Sequence, residues 1–245
     1  MTILTTGSKS GLGEYLYKEL GGAGFDRGSS RHNLTADVIV HCAFNSAKNV
    51  TSASLYSYLE DNLFLTKDLT LSPHKKFIFI SSIEVYPADG EVHSEEEDIE
   101  INSVDNIYAA SKLMAEAIVR ENCPNYLILR CSALLGKHSR KNNLIKIIQD
   151  EKPDLTLSGE SEFNYVLHSD VLEFIKKALK EDLQGIYNIA SSENITLSEA
   201  AGGKEVSFGE YAYATGKVDN SKASALLPSL KKSSKDKIEK FIKYV

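Results

Sequence analysis

The chain has 245 residues, 42% hydrophobic and 25% charged, a size and composition suited to a globular fold with a full core. Its formal charge of −6 argues against nucleic acid as a partner, which would call for a basic surface. No run of about 18 apolar residues occurs, and "MTILTTG" lacks the basic start of a signal peptide, so no membrane partner and a cytoplasmic location are expected.

The first element, "TILTT" (2–6), is a short β-branched run that reads as a buried strand, and "GLGEYLYKEL" (11–20) follows as a helix. Between Gly13 and Asp37 lie 23 residues. They leave room for one strand near "GFDRG" (24–28) but hardly for another helix and strand, which predicts a sheet shortened at its second–third strand region. Further buried strands are expected at "DVIVHCAF" (37–44), "KFIFISS" (76–82), "YLILRCS" (126–132) and "GIYNIA" (185–190), with helices at 54–69 and 107–122. In the second of these helices Tyr108, Ser111, Ala115 and Ile118 form a small or apolar face, while Glu116 and Arg120 point elsewhere. Strand–helix alternation means crossover units, so the fold class is α/β: a doubly wound parallel sheet with helices on both faces.

After about residue 136 the pattern loosens. "NNLIKIIQDE" (142–151) and "SDVLEFIKKALKED" (169–182) are amphipathic helices, and a C-terminal helix sets Ile238, Phe241, Ile242 and Val245 on one face with lysines opposite. The expected division is a core over 1–136, completed by 164–190, and a small substrate lobe from 137–163 and 191–245. Cys42, Cys123 and Cys131 are odd in number and without zinc spacing, so they read as free thiols and no metal site is expected.

Two motifs carry chemistry. "TGSKSGLG" (6–13) places glycines at 7, 11 and 13 between a strand and a helix. Glycine permits positive φ and close backbone approach, and a new helix start favours negative charge, so Gly7, Ser10, Gly11, Leu12 and Gly13 form a candidate dinucleotide cradle. Asp26, 19 residues beyond Gly7, is placed to bond a ribose hydroxyl as in an NAD site. Its neighbours Arg27, Ser29, Ser30 and Arg31 suit the extra phosphate of NADP instead, so the cofactor is NAD or NADP. The second motif, "YAASK", puts Tyr108 and Lys112 one helical turn apart, 26 residues after Ser82 at a strand end.

Taken with "DVIVHCAF", "SSIEVYP", "LRCSALLG", "YVLHSDV" and "GIYNIASSENITLSEA", in that order over nearly the whole chain, these motifs resemble the short-chain dehydrogenase/reductase superfamily. Within it they are similar to the extended branch of NAD-dependent sugar-nucleotide epimerases, dehydratases and reductases, which implies a Rossmann-like fold. The glycine spacing is nearer the classical branch.

The resemblance implies that Tyr108 is the acid–base group, that Ser82 orients the substrate oxygen, and that Lys112 draws the phenol pKa down while holding a nicotinamide ribose. Asn62 would help hold the site, and Cys42, Ala43 and Phe44 would line the cofactor. The implied function is an NAD(P)-dependent ketosugar reductase or epimerase on a sugar or nucleotide-linked sugar. Glu84, where dehydratase relatives carry a basic glutamate, offers a dehydratase as the alternative, although Ile83 replaces the acid some of them add. A non-catalytic dinucleotide sensor is the alternative from another class. Helices 54–69 and 107–122 imply a homodimer. Phe163 and Ala133 stand where the family's diphosphate-binding arginine and substrate-contacting asparagine are expected. His41 and His168 read as structural, and "SEEEDIE" (94–100) as a solvated loop.

Overall fold

The computed structural model describes residues 1–30, 34–104 and 106–243. Six strands form the central sheet: β1 (Ile3–Thr6), β2 (Ala23–Phe25), β3 (Val38–His41), β4 (Lys76–Ser82), β5 (Tyr126–Cys131) and β6 (Gly185–Ile189). Their order is β6-β5-β4-β3-β1-β2, and every neighbouring pair is parallel. Parallel strands buried on both faces read as near-continuous apolar runs, and all seven positions of β4 are buried, with Phe77–Ile80 apolar throughout.

The two-residue period divides those side chains between the faces. Val38, Val40, Ile78, Ile80, Leu127 and Leu129 pack with Leu12 and Leu16 of α1 (Gly11–Leu20) and with Val171 and Phe174 of α6 (His168–Glu181). Leu4, Ile39, Phe77, Phe79 and Ile128 face the other way, onto Leu69, Ala115 and Val119. Those last residues belong to α3 (Leu65–Leu71) and α4 (Ile107–Asn122). The sheet is thus doubly wound and Rossmann-like. Among the described residues β2 is its edge, with no helix or strand between Phe25 and Val38, as the short interval predicts.

The helix expected at 54–69 is longer and irregular. It runs as α2 (Ser52–Leu59), a π-helical turn (Glu60–Phe64) and α3. Beyond β5, α5 (Asn143–Gln149) and α7 (Leu197–Ala201) pack together with Leu155 between them. The chain then returns to the sheet, where Ala223 of α8 (Ser221–Leu226) and Leu230 join the main core. In α9 (Ser234–Ile242) Ile238 and Phe241 are buried while Ile242 is exposed, and Val245 lies outside the described residues. Lys237 departs from the expected solvated lysine face: it is buried and its Nζ donates to Asp170 Oδ1 at 2.8 Å, fastening α9 to the start of α6. Among the described residues no helix is long and apolar enough to cross a membrane.

Glu116, expected only to point away from the Tyr108 face, is fully buried against Arg130 of β5. One further expectation is corrected: the acidic run is not wholly solvated, because Glu95 is buried and accepts from the Asn188 backbone N–H at 2.8 Å.

Candidate active site

The glycine turn sits where β1 passes into α1. Gly7 has φ of +70°, which glycine adopts without strain. A Cβ on Gly13 would come 2.4 Å from the Gly7 carbonyl oxygen, so helix and turn pack too closely for any side chain. Ser10 caps α1 without a side-chain hydrogen bond to the helix, leaving the first N–H groups unsealed by it.

The opposite wall is fixed by a chain of polar groups. Thr6 Oγ1 accepts from the Cys42 and Ala43 N–H groups, both at 3.0 Å, and lies 2.8 Å from His41 Nδ1. With both N–H groups pointing at it, the threonine hydroxyl donates to Nδ1, so His41 carries its proton on Nε2 and donates to Thr66 Oγ1 at 3.0 Å. Thr66 in turn donates to the Asn62 carbonyl in the π-turn. Burial holds His41 neutral, its pKa lowered to about 3. The Asn62 side chain accepts from the Asn45 N–H at 2.6 Å and donates to the Asn45 carbonyl at 3.0 Å. Asn62 therefore stands behind the wall formed by Ala43, Phe44 and Asn45 rather than on the cleft itself.

The reacting end forms where β4 and α4 meet. Asn106 Oδ1 caps α4 by accepting from the Ala109 N–H at 3.0 Å, which starts the helix so that Tyr108 and Lys112 enter the cleft beside Ser82. Tyr108 lines the cleft with Ser82 and packs edge-on to Phe44, ring centroids 5.9 Å apart. Lys112 is buried: its Nζ donates to the Ile80 carbonyl at 2.6 Å and lies 3.6 Å from the Phe44 ring centroid. Burial lowers its pKa to about 7.

The expected pull of Lys112 on the phenol is not realised in this arrangement. Burial raises the Tyr108 pKa, the Glu84 carboxylate adds to that, and the neighbouring Ser82 hydroxyl opposes it. The ammonium is 5.9 Å from the Tyr108 ring centroid and turned to a carbonyl. Glu84 lines the same cleft and pairs with Lys48 at 2.5 Å. Cys42 and Cys131 flank Lys112, and burial pushes the Cys42 thiol up to about 12.

A buried ion pair backs the strand end. Arg130 Nε and Nη2 donate to the two oxygens of Glu116 at 3.1 and 2.7 Å, and Ser81 Oγ donates to Glu116 Oε1 at 2.5 Å. Arg130 Nη1 also donates to the Tyr86 hydroxyl at 2.8 Å. Ser81, next to Ser82, is thereby held from within the core.

One cleft of about 390 Å³ gathers Gly7, Ser10, Gly11, Leu12 and Gly13 with Cys42, Ala43, Phe44, Ser82, Glu84, Tyr108 and Lys112. Asp26 and Arg27 line an adjoining recess. Asp26 pairs with Lys9 at 2.8 Å and accepts from the Gly28 N–H at 2.9 Å, which hold its carboxyl below the usual range. Arg27 donates to Asp61 at 2.7 Å. Arg31 lies outside the described residues.

The residues present fit a dinucleotide. The start of α1, whose N–H groups Ser10 does not cap with its side chain, opens on the cleft where a diphosphate would rest, and Ser132, 4% exposed, lines the cleft with a hydroxyl that has no partner among the described residues. Ser132 escapes a reading of strand periodicity because it looks like one more polar residue at a strand end. Phe163 and Tyr213, ring centroids 5.0 Å apart, also line the cleft. Their separation in sequence hides the pair.

The model of the NAD dependent epimerase/dehydratase family matches residues 6–190. No curated protein sequence matches the chain significantly. Among solved structures it is similar to a dTDP-4-dehydrorhamnose reductase from Clostridium acetobutylicum, with 16% identity, TM-score 0.82, and 100% of this chain and 99% of that one covered. MoeE5 in complex with UDP-glucose and NAD gives 17% identity and TM-score 0.81, with coverage of 100% and 98%. A UDP-glucuronic acid 4-epimerase from Bacillus cereus, bound to UDP-glucuronic acid and NAD, gives 19% and 0.78, again with 100% and 98% covered.

Proposed function

The chain belongs to the NAD dependent epimerase/dehydratase family, and on that premise we propose that it is an enzyme reducing the keto carbon of a nucleotide-linked sugar. The observation that carries this reading is the meeting of Tyr108, Ser82 and Lys112 in the one cleft that also holds the glycine turn. A protonated phenol is the donor a ketone oxygen needs. Bound, the nicotinamide supplies hydride chemistry at the sugar carbon. Ser82 orients the oxygen that receives the Tyr108 proton, and Lys112 is the cation within reach to stabilise the phenolate left behind. Asp26, ionised at the adjoining recess, favours the ribose hydroxyls of NAD over the extra phosphate of NADP, and Arg27 is already engaged by Asp61.

Glu84 supports a second reading, a dehydratase in which it acts as base, because its carboxylate lines the same cleft. Ile83, buried and apolar, supplies no acid beside it. Epimerisation is distinguished with it by cofactor accounting. A reductase oxidises one reduced nicotinamide per product, while an epimerase or dehydratase regenerates its own. Nucleotide ketosugars mixed with the enzyme and reduced cofactor should give stoichiometric loss of reduced-nicotinamide absorbance, abolished in Tyr108→Phe. Product formed without net cofactor loss would rule reduction out. Exposed Leu55, Tyr56, Phe64 and Met114 on the α2–α4 helices support pairing of two copies; light scattering showing only monomer would dismiss that.

A further inference from the structure

From Gly7 and Ser10 the groove extends in two directions, toward Tyr108 and toward Asp26. Five residues border both arms (Gly7, Ser10, Ala43, Phe44 and Arg140), and only Arg140 among them is charged. A dinucleotide laid along both arms has its diphosphate at the midpoint, which is this junction.

Arg140 sits on the loop between β5 and α5, and that loop bridges the groove. On one side His138 Nδ1 lies 3.4 Å from Glu14 Oε1 of α1, and the His138 carbonyl approaches the glycine turn at Gly11. On the other side Arg140 Nη1 donates to Ser46 Oγ at 3.5 Å, on the wall that follows β3. Of the other cations around the groove, Lys9 is engaged by Asp26, Arg27 by Asp61, Lys48 by Glu84 and Lys141 by Asp150, while the Lys112 Nζ is turned to the Ile80 carbonyl. Among the described residues Arg140 has no carboxylate partner. Its long contact to a neutral hydroxyl is weak and readily exchanged for a charge-assisted bond to phosphate.

We infer that Arg140 clasps the cofactor diphosphate from the side opposite the glycine turn. The turn then offers backbone N–H groups and a helix start on one flank, and the guanidinium offers a full charge on the other. This rests on the dinucleotide reading proposed above, and the test separates the two.

Binding of ADP-ribose is measured by calorimetry, and of phosphate-free adenosine by saturation-transfer NMR, for wild type, Arg140→Ala and Arg140→Lys. Arg140→Ala should bind ADP-ribose about tenfold to a hundredfold more weakly, with Arg140→Lys between it and wild type and adenosine affinity unchanged. Melting curves of the ligand-free variants should superimpose on wild type, since Arg140 is exposed. Equal ADP-ribose affinity in wild type and Arg140→Ala would overturn the inference, as would an equal loss for adenosine. Wild type that binds neither ADP-ribose nor NAD would overturn the dinucleotide reading itself, and the inference with it.

Discussion

Replacing Lys112 by methionine should stabilise the ligand-free protein at neutral pH while ending turnover. The amine titrates near 10.5 in the unfolded chain and at about 7 in the folded one. Between those values only the unfolded state holds the proton, so stability falls as pH drops from 10.5 to 7 and the penalty is full below that. At pH 7 it amounts to about 4 kcal/mol, and at pH 9 to about 2 kcal/mol. Methionine fits between Phe44 and Phe79, where the ammonium now lies, and carries no charge. It orphans the Ile80 carbonyl at a cost of about 1–3 kcal/mol, leaving a net gain of roughly 1–3 kcal/mol at pH 7. Thermal melts at several pH values between 7 and 9 test this directly. The wild-type melting temperature should rise by roughly 4–8 °C more than that of Lys112→Met over that range. Parallel curves for the two proteins would refute the argument, because they would mean that the lysine enters the core without losing its proton affinity.

Gly13→Ala places a methyl 2.4 Å from the Gly7 carbonyl oxygen; a loss of about 1–3 kcal/mol in urea denaturation is expected, with NAD binding weakened in calorimetry. Arg130→Met strands the Glu116 carboxylate in the core and should cost about 3–5 kcal/mol by the same measurement. The double change Arg130→Met with Glu116→Leu should recover most of that. His41 and His168 have pKa values lowered by burial to about 3 and about 4. Below pH 6.5 the unfolded chain takes up protons that the folded one refuses, so stability is lost as pH falls from 6.5 toward 3, by about 3 kcal/mol for each at pH 4. A His168→Gln variant should show a shallower acid decline in melting temperature.

The sheet was legible because parallel strands must be apolar on both faces, and β3, β4 and β5 carry little else. The short span from Gly13 to Asp37 also set the sheet edge correctly at β2. What stayed hidden depends on partners distant in sequence. Glu116 looks like a solvent-facing helix residue until β5 brings Arg130 beneath it. The spacing of Tyr108 and Lys112 places them on one helix face, but not the direction of the lysine, which the Ile80 carbonyl sets. Nor does any local pattern announce the π-turn, whose extra residue is visible only in the hydrogen bonds it redirects.

That turn makes the chain intolerant of length change where composition matters little. An α-helix advances about 100° per residue, so deleting one residue within Glu60–Phe64 would swing the Asn62 amide away from Asn45, leaving two half-buried backbone groups without their partner. The groove wall from Ala43 to Asn45 would then have to be ordered by the ligand, at the ligand's expense in affinity. As it stands, that wall is already set when the ligand arrives.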